Sequence, residues 1–392
     1  MRALAYFNLM TSPRRRQRQL WVQLHLWPGL LLGAVFALLG LTGSVLCFYP
    51  ELDLLLNPVQ QIALSSARPP RLQPALTALQ QAYPQYPGVW RLEMPLAEGR
   101  PLNARYYAPA ETAGRSFAPL MVTLDPQTQQ VSSSRFWGDY AMTWIFDLHY
   151  SLLLERPGRI TVGVVGILCL FSLLSGLYLW WPSRRQWVTA IRPKIRSGVV
   201  RATYDWHTLS GLYGLVVLAT LCFTGVVLAL PEYVNPLIQN ISPLSKWTSP
   251  SSEIPAGRSM ISVDAAISRA TALFPQARLR WVETPKNEHG VFRLNLWQAN
   301  EPGYRFPKTN VWIDAYSAKV LAVRDPNQHS AGDTFLAWQH PLHNGEAFGL
   351  TGRILACVAG LLPLLLWVTG SLRWLQKRRA RAVRREPARC AA

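Results

Sequence analysis

The sequence predicts a membrane protein: an α-helical bundle of four transmembrane spans with two α+β domains on one side of the bilayer. Three observations predict it. Four apolar runs, at 21–49, 160–181, 207–230 and 354–375, have the roughly twenty residues that a helix needs to cross a bilayer. Basic residues collect at alternate ends of those runs. Finally, two segments recur as near-copies. LHLWPGLLLGAVFALLGLTG (24–43) and WHTLSGLYGLVVLATLCFTG (206–225) match at eight of twenty positions at an offset of 182, from His25 and His207 to Thr42-Gly43 and Thr224-Gly225. DLHYSLLLERPGR (147–159) and PLHNGEAFGLTGR (341–353) align His149 with His343 at an offset of 194. That offset also aligns Gly158-Arg159 with Gly352-Arg353, Gly166 with Gly360, Ser175-Gly176 with Thr369-Gly370, and Trp180 with Trp374.

Taken in order, residues 1–20 form a basic terminus ahead of the first span, 21–49. That span is longer than the apolar core of a cleaved signal, and no small-x-small site follows it. Arg14-Arg15-Arg16 resembles a twin-arginine export signal, but the internal repeat speaks for a retained span. The second and third spans, 160–181 and 207–230, flank a short loop at 182–206, and a basic tail at 376–392 follows the fourth span, 354–375. The stretches before span one, between spans two and three, and from Arg373 onward hold five, six and eight basic residues against Asp205 and Glu386 alone. They supply +17 of the net +19. Basic flanks belong on the cytoplasmic side, so both termini are expected inside a bacterial inner membrane. The charge therefore reports topology, and no nucleic-acid partner follows from it.

The long connections, 50–159 and 231–353, are expected in the periplasm, one per repeat. In each, a helix-spaced segment (72–86 and 261–277) precedes alternating strand patterns: 121–131 in the first, 291–296 and 311–321 in the second. Asp125 and Asp314 begin the turns between strands. Proline-rich stretches at 66–74 and 242–255 read as linkers. Because each repeat holds two spans, the copies share one orientation, which implies a pseudo-twofold axis along the membrane normal. Cys47, Cys169, Cys222 and Cys357 lie in or at the spans and Cys390 in the tail, so the outer domains carry no disulfide. No CxxC or CxxCH occurs, which excludes a zinc ribbon and covalent c-type haem.

The topology sorts the repeated histidines by depth. His25 and His207 lie near the cytoplasmic ends of spans one and three. His149 and His343 lie at the outer face before spans two and four. Two facing imidazole pairs result, one toward each side of the bilayer. A single interfacial histidine is more often a capping or snorkelling group. Four at repeated positions suit axial ligation of haem iron, and the expectation is two b-type haems. His340, three residues before His343, is an alternative ligand; His289 and His329 lie in polar outer loops. Arg159 and Arg353, at matched membrane edges, read either as haem-propionate partners or as interface anchors. Trp137, Tyr140, Trp144 and Trp338 read either as an aromatic belt or as a substrate-facing surface. Gly29, Gly33, Gly211 and Gly214, with the two Thr-Gly pairs, read as sites of close helix approach. There is no GxGxxG or Walker A motif, so electrons must come from a separate cytoplasmic protein or a quinol.

On His25 with Gly29 and Thr42-Gly43, on the two LH…GR elements, and on the outer domains, the chain resembles the PepSY-associated transmembrane family, also called iron-regulated membrane proteins. His343-Asn344-Gly345 keeps the family's glycine after LH, whereas His149-Tyr150-Ser151 departs from it. The resemblance implies an inner-membrane siderophore reductase with haem b, similar to the ferrioxamine-type reductases. Its substrate would be a ferric siderophore, most simply of hydroxamate type, reduced in the periplasm to release Fe(II). Two other readings stand beside it: a membrane-anchored, non-enzymatic partner of a peptidase or transporter, and an iron or siderophore permease. A permease calls for polar or broken helices at mid-membrane, and the span centres are almost wholly apolar.

Overall fold

The computed structural model describes residues 13–57, 71–95, 100–194, 198–246, 248–255 and 257–383. Cys390 and the first part of the stretch read as a linker at 66–74 lie outside them. The chain divides into two compact units. One comprises 1–47, 148–230 and 342–392; the other comprises 48–147 and 231–341.

The first unit is helical, and its helices mark a membrane protein. Three are long and apolar enough to cross a bilayer: α6 (Glu155–Trp180), α7 (Gly198–Ala229) and α11 (Gly349–Val383). A fourth span exists if α1 (Pro13–Leu31) and α2 (Gly33–Leu46) form one crossing. The sequence predicts a single helix over 21–49; the structure bends it by 57° between Leu31 and Gly33. The cause lies on the neighbouring helix. A Cβ at Gly33 would collide with the Trp367 ring of α11, whose indole N–H donates to the Leu30 carbonyl at 3.4 Å. Glycine lets that ring wedge into the break, and the helix turns around it. The backbone bonds Leu32 N–H to Pro28 and Phe36 N–H to Leu32 survive across the break at 2.9 Å. Elsewhere glycines close the bundle: Gly40 meets Gly360, and Gly163 meets Leu230.

The second unit corrects the expectation of two separate outer domains. Short helices α3 (Tyr49–Leu56) and α8 (Pro231–Gln239) stand near the start of its two segments, and α4 (Leu72–Ala82) and α9 (Val263–Leu273) each precede a four-stranded meander. These are β1–β4 (Trp90–Glu93, Leu102–Tyr106, Leu120–Leu124, Val131–Phe136) and β5–β8 (Arg278–Glu283, Val291–Trp297, Thr309–Asp314, Val320–Arg324). The meanders join into one eight-stranded antiparallel sheet, β4-β3-β2-β1-β5-β6-β7-β8. The seam pairs Arg91 with Glu283, Leu92 with Val282 and Glu93 with Trp281. The pairing removes two strand edges that separate domains would leave open. It also lets both helices share one core, in which Leu72, Leu76, Leu79, Val263 and Ala266 pack on Leu92, Leu102, Val122, Val282, Leu294 and Ile313. The helices cap each other. Asp264 accepts the Leu72 N–H at 3.0 Å, and Gln73 Oε1 accepts the Val263 N–H at 2.8 Å.

The linker reading also needs correction. Residues 72–74 belong to α4, and Ser252, within 242–255, is buried. Ser252 N–H donates to the His289 carbonyl and its hydroxyl accepts from Ala315 N–H, both at 2.9 Å, so the segment is stitched to the sheet.

Candidate functional site

All four repeated histidines fall in the helical unit. His25 on α1 and His207 on α7 bring their ring centroids to 6.2 Å, with planes at 81°. His149 closes α5 (Ala141–Ser151) and His343 closes α10 (Ala331–His343). Their centroids lie 6.0 Å apart, with planes at 47°. The structure thus brings together the two pairs that the repeats suggest.

Each ring sits against a neighbouring helix in the same way. The pattern is a carbonyl, a hydroxyl three residues later, and a glycine one residue after that. His25 Nδ1 lies 3.0 Å from the Ser172 carbonyl and 3.1 Å from Ser175 Oγ. His149 Nδ1 lies 3.0 Å from both the Leu39 carbonyl and Thr42 Oγ1. For His207 the partners are Leu366 and Thr369, both at 3.1 Å. For His343 they are Leu221 at 3.1 Å and Thr224 at 3.0 Å. The glycine then gives the ring its place: a Cβ at Gly176, Gly43, Gly370 or Gly225 would stand 3.0, 3.0, 3.2 or 3.1 Å from the Cε1 of His25, His149, His207 or His343. The sequence pairs Thr42-Gly43, Ser175-Gly176, Thr224-Gly225 and Thr369-Gly370 are therefore histidine cradles. Reading the Thr-Gly pairs as helix-contact glycines missed this. The signal was the recurrence of a hydroxyl residue followed by glycine on α2, α6, α7 and α11, which helix packing alone does not require.

The residues fit haem iron. Two imidazoles trans on one metal, with metal–nitrogen bonds of about 2 Å, place their ring centroids about 6 Å apart, and both pairs stand at that spacing. Among the described residues no three or more His, Cys, Asp or Glu side chains converge. A bare ion at either pair would have two protein ligands, whereas a porphyrin iron needs only two. Gly29, one turn from His25, faces open space where a Cβ would be.

The remaining predicted residues divide. Arg159 Nη1 donates to the Ala229 carbonyl at 3.0 Å, and Arg353 Nε donates to the Cys47 carbonyl at 2.9 Å. Each arginine opens one span and caps the outgoing end of another, which suits the anchoring reading. His340 packs edge-on against the Phe306 ring at 4.7 Å. Trp137 is 8% exposed, donates its indole N–H to Asp147 at 2.9 Å and packs on Phe117 and Phe146. Tyr140 lies under the Arg135 guanidinium at 3.6 Å. Neither belongs to an exposed aromatic surface. Only Trp144, at 47%, and Trp338, at 39%, are exposed.

The turn after His149 takes a different path where the glycine after LH is missing. At the offset of 194 Gly345, with φ 77°, aligns with Ser151, which has no positive φ; the first segment instead places positive φ at Leu152 and Leu153, 51° and 59°. Further on, Glu155 (φ 54°) aligns with Gly349 (φ 59°). A side chain held in the left-handed region costs roughly 1–2 kcal/mol per residue.

A family model described as a PepSY-associated TM region matches residues 22–377. An uncharacterized protein of Pseudomonas aeruginosa is 33% identical over 87 residues, which are 22% of this chain and 21% of that protein. The chain thus spans about a fifth of the length of the curated relative it matches.

Proposed function

The chain belongs to the PepSY-associated transmembrane family, and from that premise we propose that it is a di-haem b reductase of ferric siderophores in a bacterial inner membrane. In this reading α1 and α2 are one broken span, the two repeats arose by duplication, both termini are cytoplasmic, and the sheet unit lies in the periplasm. The observation that carries it is the pair of facing imidazoles at each of two sites, 6.2 and 6.0 Å apart, each clamped at Nδ1.

Bound haem, held by these imidazoles, would supply one-electron chemistry. The chain's residues do the rest. His25 and His207 hold the centre nearer the donor, a cytoplasmic protein or a quinol. His149 and His343 hold the centre nearer the substrate. A ferric chelate, of hydroxamate type on the simplest reading, takes one electron outside. Its hard oxygen donors hold Fe(II) far less tightly than Fe(III), and the metal is released. The break in the first span does not favour a permease, since two backbone bonds continue across it and the helix that follows it is apolar.

Pyridine haemochrome analysis should give two b-type haems per chain, and His207→Ala should remove only the centre shared with His25. No haem, or loss of the same spectral component in His207→Ala and His149→Ala, would refute the assignment. Dithionite-reduced protein should be reoxidised by a ferric hydroxamate, with Fe(II) captured by ferrozine. His149→Ala should slow that release at least tenfold while the His25/His207 centre still reduces; an unchanged rate would remove the outer pair from the path.

A further inference from the structure

We propose that the hydroxyls of Thr42, Ser175, Thr224 and Thr369 are positioning residues that, beside carbonyls which hold each histidine in its Nδ1–H form, set the rotation of the four rings and tune their donor strength, and so make the two centres electronically different. The inference rests on the haem reading above for its redox part, but its first step does not.

That first step is hydrogen accounting. A hydroxyl has one proton to give. Thr42 Oγ1 gives it to its own helix, to the Leu38 carbonyl at 2.8 Å. Ser175 Oγ gives it to Ser172 at 3.0 Å, Thr224 Oγ1 to Thr220 at 2.7 Å, and Thr369 Oγ1 to Leu365 at 2.6 Å. Toward the histidine each hydroxyl oxygen is therefore an acceptor. The second partner of every Nδ1 is a carbonyl, which only accepts. With a carbonyl and a committed hydroxyl before it, Nδ1 must carry the proton at all four rings; at His25 the Ser172 hydroxyl is a third neighbour, at 3.5 Å. Each Nε2 then keeps its lone pair, the state a metal ligand needs.

The carbonyl alone would fix that tautomer, so the hydroxyl adds something else. It makes the Nδ1–H bond three-centred, shared between two acceptors, which draws the proton further from the ring and makes Nε2 a stronger donor. It also defines the direction in which Nδ1–H points, and the ring plane follows. The glycine beneath removes the steric alternative. The outcome differs between pairs: planes at 81° for His25 and His207, and at 47° for His149 and His343. In a low-spin ferric haem the angle between axial imidazole planes governs the splitting of the iron d-orbitals, and with it the anisotropy of the EPR signal. The His25/His207 centre should give the more anisotropic signal of two.

Two measurements test this. In haem-free protein labelled with 15N-histidine, NMR should report the Nδ1–H form at all four rings. An Nε2–H form at any of them overturns the clamp whether or not the protein carries haem. In loaded protein, Thr42→Val and Thr369→Val keep the side-chain shape and remove one acceptor. Each should retain both haems, raise the midpoint potential of its own centre only (His149/His343 for Thr42, His25/His207 for Thr369), and change that centre's EPR signal. Thr→Ser at the same positions should restore both. Unchanged potential and signal, or equal shifts at both centres, would mean that the hydroxyls merely pack. Protein that shows the Nδ1–H form yet binds no haem would leave the clamp standing and refute the di-haem reading and the redox role together.

Discussion

At the scale of single residues, the site depends on what is missing as much as on what is present. Gly43, Gly176, Gly225 and Gly370 matter because a side chain there would occupy the space of an imidazole. The ring cannot easily yield, since its Nδ1 is held by two partners. Gly43→Val should accordingly displace His149, lower the haem-to-protein ratio from two to one, and leave the His25/His207 spectrum intact. Retention of both haems would show that the cradle is loose. The histidines themselves were legible in the sequence because repetition marked them out from ordinary interfacial histidines. The role of the glycines was not, because a small residue in a membrane helix has many uses and only the facing side chain tells which applies. The same limit misplaced Trp137: a tryptophan near a span reads alike whether it lines a surface or, as here, fills a core beside Phe117 and Phe146.

At the scale of elements, long-range partners decide where helices start, bend and stop. Aligned by the offset of 182, α7 carries Leu215 where the first span carries Gly33, and α7 runs unbroken from Gly198 to Ala229. The bend is thus private to one repeat, made by Trp367 on another helix. Periodicity within the segment contains no trace of it. The helices of the sheet unit show the same dependence. Neither Leu72 nor Val263 finds a capping group for its N–H in its own helix; Asp264 and Gln73 supply them across the pair. Asp264→Ala removes one such acceptor and should destabilise the sheet unit by about 1 kcal/mol, the usual worth of a helix N-cap. Equilibrium urea unfolding monitored by the fluorescence of that unit would measure it. No change would mean that water replaces the carboxylate.

At the scale of the whole molecule, the chain builds two units with different sources of stability. The sheet unit depends on buried carboxylates. Burial alone would push Asp314, Asp333 and Glu93 up. At Asp314 the N–H groups of Ser317 and Tyr316 outweigh burial; at Asp333 Ser245 and Ser330 do so; at Glu93 the Arg105 and Arg91 guanidinium groups do so. All three are held below the ordinary carboxylate value. A carboxyl depressed on folding adds stability above its unfolded value, about 4, and that stability is lost as pH falls through the lower, folded value. The unfolding midpoint of the sheet unit should fall between pH 7 and pH 3, and Asp314→Asn should flatten part of that dependence. A midpoint indifferent to acid would show that the carboxylates bind protons equally in both states.

The membrane character, the approximate spans, the helix-then-strands order of each segment of the sheet unit and the identity of the paired histidines were all determined by the sequence alone. Each is written in composition, periodicity or repetition, which are local or self-referring patterns that bilayer thickness and hydrogen-bond satisfaction translate directly into structure. Tertiary structure alone decided the joining of two meanders at β1 and β5, the break at Gly33, and the use of a carbonyl, a hydroxyl and a glycine from one helix to hold the histidine of another. Those features arise where residues tens to hundreds of positions apart meet. A strand edge, a glycine or a threonine has no fixed partner until the chain has folded, and the partner is what gives each its role.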